Sequence, residues 1–297
     1  MSGGSRLPAL AVAFAAVAWG LWWIPVRWLA EGGLHGDWAS LAIFGVTAAA
    51  MTPFIITRRK RLISGGFDLL LSGVSFGVMM VLWNHAILIG EVVRVVLLFY
   101  LSPVWATLLA AVLLREPIGA WRIFAMALGL SGAAVILGFE GGWPMPRSAA
   151  DWLGLLSGGL FALSATLARR SRNVSGFDKT CVSYVAAALF ALLLVWGDTG
   201  PAPRGAELIE AMPLVLATAG FFILPATLLV FWGATRLDPG RVAILLLLEL
   251  IAAAIASAML TQEPFGWREA AGCALILLAG LAEAAPDLRA ARRSRSR

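Results

Sequence analysis

The chain is a succession of apolar runs of about 20 residues, each long enough to cross a lipid bilayer as a helix. At a rise of about 1.5 Å per residue, such a run matches the roughly 30 Å hydrocarbon core. Sixty per cent of the residues are apolar and only 13% are charged, whereas a soluble domain is about half apolar and about a quarter charged. The chain has too few polar side chains to cover a soluble surface, so we expect an integral membrane protein.

Pro, Gly or charged residues separate ten such runs, which we number spans 1 to 10 in chain order. The predicted spans are residues 7–30, 38–57, 68–89, 92–114, 120–139, 151–170, 177–197, 208–235, 240–261 and 267–285. In a chain of 297 residues, ten spans leave room only for short loops and two tails, so no extramembrane domain is predicted. The first run is too long for a secretory signal and lacks a convincing cleavage site, so we expect a mature helix.

The few cysteine and histidine residues exclude several classes of site. Cys181 and Cys273 both lie inside apolar runs, so we expect no disulfide framework. His35 and His85 are the only histidines, too few for a multi-histidine metal site. We predict no metal, no cofactor and no catalytic residue. The expected partners are the lipid bilayer and a small-molecule substrate, with no obligate protein partner.

The basic residues predict that both termini lie in the cytoplasm, because inner loops of membrane proteins are enriched in Lys and Arg. With that orientation, 18 of the 23 Lys and Arg residues lie in inner segments. The net charge of +6 is therefore explained by topology, and we predict no nucleic-acid partner. Seven of the 13 tryptophans lie near predicted span ends, as an aromatic belt requires.

A Glu-Pro dipeptide closes two spans at equivalent positions. Residues 115–119 (Arg-Glu-Pro-Ile-Gly) end span 4, and residues 262–266 (Gln-Glu-Pro-Phe-Gly) end span 9, an offset of 147 positions. A Trp-Arg pair follows each of them, at 121–122 and at 267–268. Glu-Pro is common at helix ends, so the match between the two sequences could arise by chance. The spacing and the flanking Trp-Arg pairs favour an internal duplication.

The duplication predicts the fold class. Each half holds five helices, and this odd number places the second half upside down in the membrane relative to the first. We predict an all-α integral membrane protein with ten transmembrane helices in two inverted five-helix repeats, residues 1–145 and 146–297. Inverted repeats are typical of secondary transporters, with the substrate site between the halves near the bilayer midplane.

These features resemble the drug/metabolite transporter superfamily of the EamA type, and the resemblance covers essentially the whole chain. Trp19-Gly20 in span 1 is similar to the opening signature of that family. Leu248-Glu249 in span 9 matches its Leu-Glu-Pro pattern, although Leu250 replaces the proline and leaves a kink there open. Residues 94–105 resemble the YddG-like branch of bacterial exporters of aromatic and neutral amino acids.

The resemblance implies a function and a mechanism. It implies export of amino acids across the bacterial inner membrane by alternating access, through a cavity built from spans 1, 3 and 4 and their counterparts 6, 8 and 9. The alternative is a multidrug or other-metabolite permease of the same superfamily, since one fold serves many cargoes.

Polar groups inside a span are costly, and they indicate the candidate substrate site. Glu249, near the middle of span 9, is predicted to bind a substrate amine or a proton, and its alternative is a hydrogen bond between helices. Asn84 and His85 in span 3 offer donors and acceptors to a zwitterion, with bonding between helices as an equal alternative. The predicted substrate-binding residues are Trp19, Asn84, His85, Tyr100, Ser102, Trp232 and Glu249.

Each remaining residue of the predicted site also has both a substrate-binding and a structural interpretation. Tyr100 and Ser102 lie near the midplane beside Pro103, which frees a backbone carbonyl where a cavity can use it, or only kinks the helix. Trp19 and Trp232 offer aromatic faces to apolar side chains and cations, or pack against lipid.

A polytopic membrane enzyme is the remote alternative, and we predict no enzyme. Residues 129–132 (Gly-Leu-Ser-Gly) resemble the motif of intramembrane serine proteases. A serine nucleophile needs a base within hydrogen-bond reach. Both histidines precede Ser131, whereas the histidine of those proteases follows the serine, and ten spans are too many. A scaffold protein that transports nothing is a further alternative. A flux assay in liposomes would distinguish a transporter from an enzyme and from a scaffold.

The predicted topology can be tested by thiol accessibility. Cysteines introduced at residues 58–61 and 289–297 should react only from the cytoplasmic side, and those at residues 141–148 only from the periplasmic side. Labelling of residues 58–61 from the periplasm would overturn the inverted-repeat arrangement.

Overall fold

A computed structural model describes most of the chain. The described residues are 6–138, 145–170, 175–197, 201–234, 236–237, 239–263 and 265–295. Residues 141–144 of the predicted outer loop and residues 296–297 of the basic tail lie outside them. Within the described ranges the secondary structure is helical, with no β-strand.

The helices follow the predicted spans and keep their numbers. Helices 1 to 10 are Arg6–Gly20 with Trp23–Glu31, Trp38–Ser64, Gly66–Ile89, Val92–Phe99 with Ser102–Leu113, Ala120–Leu137, Ala149–Arg170, Gly176–Gly197, Gly205–Ala217 with Thr218–Ile223 and Leu224–Ala234, Pro239–Leu260, and Trp267–Arg295. Of the described helices, nine are long and apolar enough to cross a membrane, and these are helices 1 to 9. The tenth crossing and the cytoplasmic position of both termini stay predictions.

The basic run at residues 58–61 belongs to helix 2, so the prediction of a loop there is wrong. Helix 2 continues to Ser64, and Gly66 follows with a φ of +63°, a conformation that favours glycine. Of the basic run, Arg61 lies in the last turn of helix 2, where basic side chains interact favourably with the free carbonyl groups. Their long stems also let the charges reach water, so a helix end tolerates them.

Helices 1, 4 and 8 are interrupted near their middles. Turns at Leu21-Trp22 and at Tyr100-Leu101 break helices 1 and 4. Helix 8 widens into a π-helical segment at Thr218–Ile223, directly before Pro225. Proline has no N–H and its ring collides with the carbonyl one turn earlier, and a π-type turn relieves this collision. Helix 9, with Leu250 in place of the family's proline, is continuous.

Corresponding helices of the two halves run antiparallel. The indole of Trp121, at the start of helix 5, donates to the carbonyl of Ala282 toward the end of helix 10. The guanidinium of Arg58, toward the end of helix 2, lies 2.9 Å from a carboxylate oxygen of Asp178 at the start of helix 7. Pairs 5 and 10 and pairs 2 and 7 therefore have the opposite directions that an inverted repeat requires.

Contacts at the other end of the molecule extend this arrangement to two further pairs. Arg94 and Asp151, 2.6 Å apart, place the start of helix 4 beside the start of helix 6. Glu263, which follows helix 9, bonds both Arg27 toward the end of helix 1 and the backbone of Val92 at the start of helix 4. Helix 6 is thus opposite to helix 1, and helix 9 is opposite to helix 4.

Small residues let the helices of the two halves approach closely. A Cβ atom at Gly77 of helix 3 would lie 2.6 Å from the backbone nitrogen of Ala187 and 2.9 Å from the Cβ of Ala186 in helix 7. Ser72 of helix 3 and Ser164 of helix 6 each donate to the other's carbonyl, at 2.9 and 2.8 Å. Close backbone approach and hydrogen bonds between helices are the main sources of association in lipid, where apolar burial contributes little.

The seam between helices 3 and 7 gives a stability test with a matched control. Gly77→Ala should lower the unfolding temperature in detergent by several degrees, because forcing a methylene-sized group into a packed seam costs about 1–3 kcal/mol. Gly45→Ala, in helix 2 where an added Cβ meets nothing within 4 Å, should leave it unchanged or raise it. Equal unfolding temperatures for the two variants would contradict the close seam.

Candidate substrate cavity

A cavity of about 220 Å³ lies between the two halves of the molecule. The six helices expected to build it, helices 1, 3 and 4 and their counterparts 6, 8 and 9, all contribute to its wall, and helix 10 adds one glycine. The wall residues are Trp19, Trp22, Phe76, Met79, Met80, Trp83, Phe99, Tyr100, Ser102, Pro103, Phe161, Ile223, Ala243, Leu246, Leu247, Glu249 and Gly280. Most of this surface is aromatic or aliphatic.

The helix interruptions coincide with the cavity. Trp22 lies at the break in helix 1, Tyr100 and Ser102 flank the break in helix 4, and Ile223 ends the π-helical segment of helix 8. Irregular backbone at membrane depth is tolerated only where it is buried in protein or lines a cavity, because lipid offers no hydrogen bonds. The three breaks therefore lie at the same depth in the molecule as the cavity.

Helix 3 presents a stripe of large apolar side chains to the cavity. Phe76, Met79, Met80 and Trp83 recur at intervals of three and four residues, which places them on one helical face. The sequence prediction did not include them. Their periodicity is visible in the sequence, but a membrane helix is apolar on its lipid face as well, so spacing alone does not identify the cavity face.

The polar part of the wall centres on Glu249. This side chain is partly accessible from the cavity, and of the described wall residues it is the only carboxylate. The hydroxyl of Tyr100 faces it and donates to the carbonyl of Leu246 at 3.2 Å. An ionised carboxylate surrounded by apolar groups is costly unless a cation or a set of donors meets it. A ligand with an ammonium group would meet that need.

Trp19 contributes its indole ring to the same wall. Its indole N–H is buried and has no partner among the described residues. The adjacent Gly20 lets helix 1 approach helix 9 closely, since a Cβ atom there would lie 2.8 Å from the Cβ of Ala252. The Trp19-Gly20 pair thus combines a close helix contact with an aromatic ring on the cavity wall.

Asn84 lies behind the cavity and does not line it. It is fully buried, its side-chain oxygen accepts the indole N–H of Trp22 at 2.7 Å, and its amide donates to the hydroxyl of Ser40 at 3.1 Å. These bonds connect the broken middle of helix 1 to helices 2 and 3. Asn84 therefore positions Trp22, which does line the cavity.

His85 and Trp232 lie away from the cavity. The Nδ1 atom of His85 is 3.0 Å from both carboxylate oxygens of Asp37, at the start of helix 2. The guanidinium of Arg236 lies 4.4 Å from the ring centre of Trp232 near the end of helix 8. Of the seven predicted site residues, the structure brings together Trp19, Tyr100, Ser102 and Glu249.

A network of ionic and backbone contacts, which we call the Arg27 latch, lies at one end of the helices that line the cavity. The guanidinium of Arg27 lies 2.8 Å from Glu263 and donates to the carbonyls of Ile87 and Gly90 at 2.8–3.1 Å. The other oxygen of Glu263 accepts the backbone N–H of Val92 at 2.7 Å. The latch joins the ends of helices 1, 3 and 9 to the start of helix 4, and these four helices line the cavity. Glu263 is also the glutamate of the second Glu-Pro sequence, a role that the sequence prediction missed.

Comparisons with known proteins agree with this architecture. Residues 6–138 and residues 148–282 each match the EamA-like transporter family. A solved structure, described only as the crystal structure of a protein, superimposes with a TM-score of 0.60 over 93% of this chain and 95% of that chain. At 18% identity this likeness shows the fold alone. A comparison with curated proteins found no match. The two family matches cover most of both halves, so the chain belongs to the EamA-like transporters, multi-pass membrane proteins that move small solutes.

Proposed function

We propose that the protein exports aromatic and other neutral amino acids across the inner membrane of a bacterium, by alternating access through the central cavity. The observation that carries this proposal is the combination of one carboxylate, Glu249, with an aromatic wall. The resemblance of residues 94–105 to YddG-like exporters supports the same substrate class.

Each part of an amino acid has a complementary group in the cavity. Glu249 attracts the ammonium group, and the burial of both charges strengthens that attraction. The hydroxyl of Ser102, on the cavity wall, is available to the carboxylate. Phe76, Phe99 and other rings of the wall suit an apolar or aromatic side chain.

The size of the cavity favours a small solute over a large drug. Pockets for drug-sized ligands measure roughly 300–1,000 Å³, and this cavity measures about 220 Å³. The volume therefore supports a metabolite of amino-acid size above the multidrug alternative.

Alternating access requires that the two ends of the cavity open in turn. The Arg27 latch joins helices at the end that the charge distribution predicts to be periplasmic, and we propose that release of an exported solute requires its opening. The sequence has no nucleotide-binding motif, and we propose that solute or proton gradients supply the energy, with Glu249 as the group that carries the proton or the amine.

Glu249→Gln tests the substrate site. The change nearly preserves shape and removes the ability to ionise, so amino-acid flux in liposomes should fall roughly tenfold or more, as loss of a charged hydrogen bond predicts. Any remaining flux should lose its pH dependence. The unfolding temperature should hold or rise, because a buried charge is removed.

Glu210→Gln is the matched control, since Glu210 is exposed on helix 8 and far from the cavity wall. It should transport like the unmodified protein. Unmodified flux and pH dependence in Glu249→Gln would show that Glu249 only packs between helices.

Glu263→Ala tests the Arg27 latch. Loss of this carboxylate removes the ionic partner of Arg27 and the acceptor of the Val92 N–H, so the closed end should open more often. A cysteine at the cavity residue Met80, in a background with Cys181 and Cys273 replaced by alanine, reports the opening. Its reaction with a membrane-impermeant thiol reagent, added on the side of Glu263, should become several-fold faster.

Glu269→Ala is the control for this experiment. Glu269 lies close to Glu263 in sequence, but its carboxylate accepts the backbone N–H of Gly266 within its own segment. It should leave labelling unchanged. Equal labelling rates for the two variants would show that the latch does not control access.

A further inference from the structure

A second apolar groove runs along helices 2, 3 and 7, apart from the substrate cavity. It has a volume of about 430 Å³. Its sides come from helices 2 and 3, and its floor comes from helix 7 between residues 181 and 193. At 1.5 Å per residue this floor is about 18 Å long, close to the thickness of one leaflet of the hydrocarbon core. The groove thus has the length and the surface that one acyl chain requires.

Several residues along the groove are open to the surroundings. Leu70 and Val74 of helix 3 are exposed, as are Leu189 and Leu193 of helix 7. In a membrane protein such side chains face lipid. The groove is therefore reached from the bilayer and is separate from the path between the two halves.

One end of the groove is strongly basic. Leu62 and Cys181 line this end, next to the basic run at residues 58–61. The two carboxylates nearby are already neutralised, since Asp178 pairs with Arg58 at 2.9 Å and Asp68 pairs with Arg170 at 3.1 Å. The local surplus of positive charge therefore lies on the other members of the run.

Arg59, Lys60 and Arg61 carry this surplus. All three are exposed, and their side chains form no ion pair or hydrogen bond with other described residues. Arg59 lies four residues after Ile55 and three before Leu62, so helical geometry puts it on the side of helix 2 that lines the groove. Arg59 thus lies beside an acyl-chain groove at one membrane surface, and Lys60 and Arg61 add positive charge around the same helix end.

We propose that this groove binds one anionic phospholipid, with an acyl chain along helix 7 and the phosphate headgroup on Arg59, at a helix end where Lys60 and Arg61 add positive charge. Basic pockets between membrane helices recognise anionic headgroups, and cytoplasmic membrane surfaces carry such lipids. A zwitterionic phospholipid has the same chains, but its own cation offsets the attraction. The inference is independent of the transported solute.

Binding at this place has a mechanical consequence. Helix 7 forms the floor of the groove and packs against Gly77 of helix 3, while the opposite side of helix 3 carries the cavity stripe. A bound lipid therefore holds together the seam between the halves, and a ligand that binds only the folded protein raises its stability.

The experiment uses the purified full chain, delipidated in detergent, with added phosphatidylglycerol or phosphatidylcholine. Unfolding temperature and native mass spectrometry are the two readouts. We expect phosphatidylglycerol to raise the unfolding temperature by several degrees and to remain bound at one molecule per chain. Phosphatidylcholine should do neither.

Two variants separate the headgroup contacts from the chain contacts. Conversion of residues 59–61 to glutamine removes the cations, and Val74→Trp fills the groove while it leaves them in place. Each should lose at least half of the phosphatidylglycerol shift. A control with Arg6, Arg115 and Arg204 converted to glutamine removes the same charge elsewhere and should keep the full shift.

The alternative outcomes are equally distinct. An equal shift with phosphatidylcholine, or a full shift in both the 59–61 variant and Val74→Trp, would overturn the site. A loss that the remote triple variant shares would reduce the effect to net charge and would overturn the site as well.

Discussion

The absence of water from the bilayer core is the constraint on which the rest of this structure depends. Every backbone polar group at that depth needs a partner inside the protein, which enforces helices and makes each interruption costly. The described chain places its three interruptions at Trp22, at Tyr100-Leu101 and at Thr218–Ile223, around one cavity. The same constraint applies to Glu249, whose carboxyl group would be unstable against lipid but can be met by Tyr100 and a ligand. Because polar groups are costly in lipid, the helix breaks and the carboxylate of Glu249 are found together at the cavity.

Much of the architecture could be predicted from the sequence, because span length and loop charge are one-dimensional properties. The repeated Glu-Pro sequence indicated two related halves, and the antiparallel pairing of helices 5 and 10 agrees with it. The Arg27 latch could not be predicted in this way. Arg27 and Glu263 lie at opposite ends of the chain, and only the packing of helix 1 against helix 9 brings them together. The helical state of residues 58–61 was also missed, since basic residues usually punctuate a span.

The candidate site was predictable only in part, for a reason specific to membranes. In a soluble helix the apolar stripe identifies the interior, but in lipid the exterior is apolar too. Polar residues were therefore the only markers, and they do not all face the cavity. Asn84 and His85 are neighbours in sequence, but their contacts differ. Asn84 accepts a hydrogen bond from the indole of the cavity residue Trp22, whereas His85 contacts Asp37 away from the cavity. The four residues that do meet there, among them Tyr100 and Glu249, lie at or opposite the helix breaks.

The latch also shows how far the two halves have diverged. One hydrogen bond of the latch is donated to Glu263 by the backbone N–H of Val92, at the start of helix 4. Among substitutions at this position, only proline removes that N–H. Helix 9, the counterpart of helix 4, begins with Pro239 and has no N–H at that position. In an exactly duplicated transporter, a two-fold axis in the membrane plane would exchange the two ends and make them equivalent. Pro239 breaks that equivalence here, so under the proposed alternating-access mechanism the sequence itself makes the two closed ends unequal, whether or not a gradient is present.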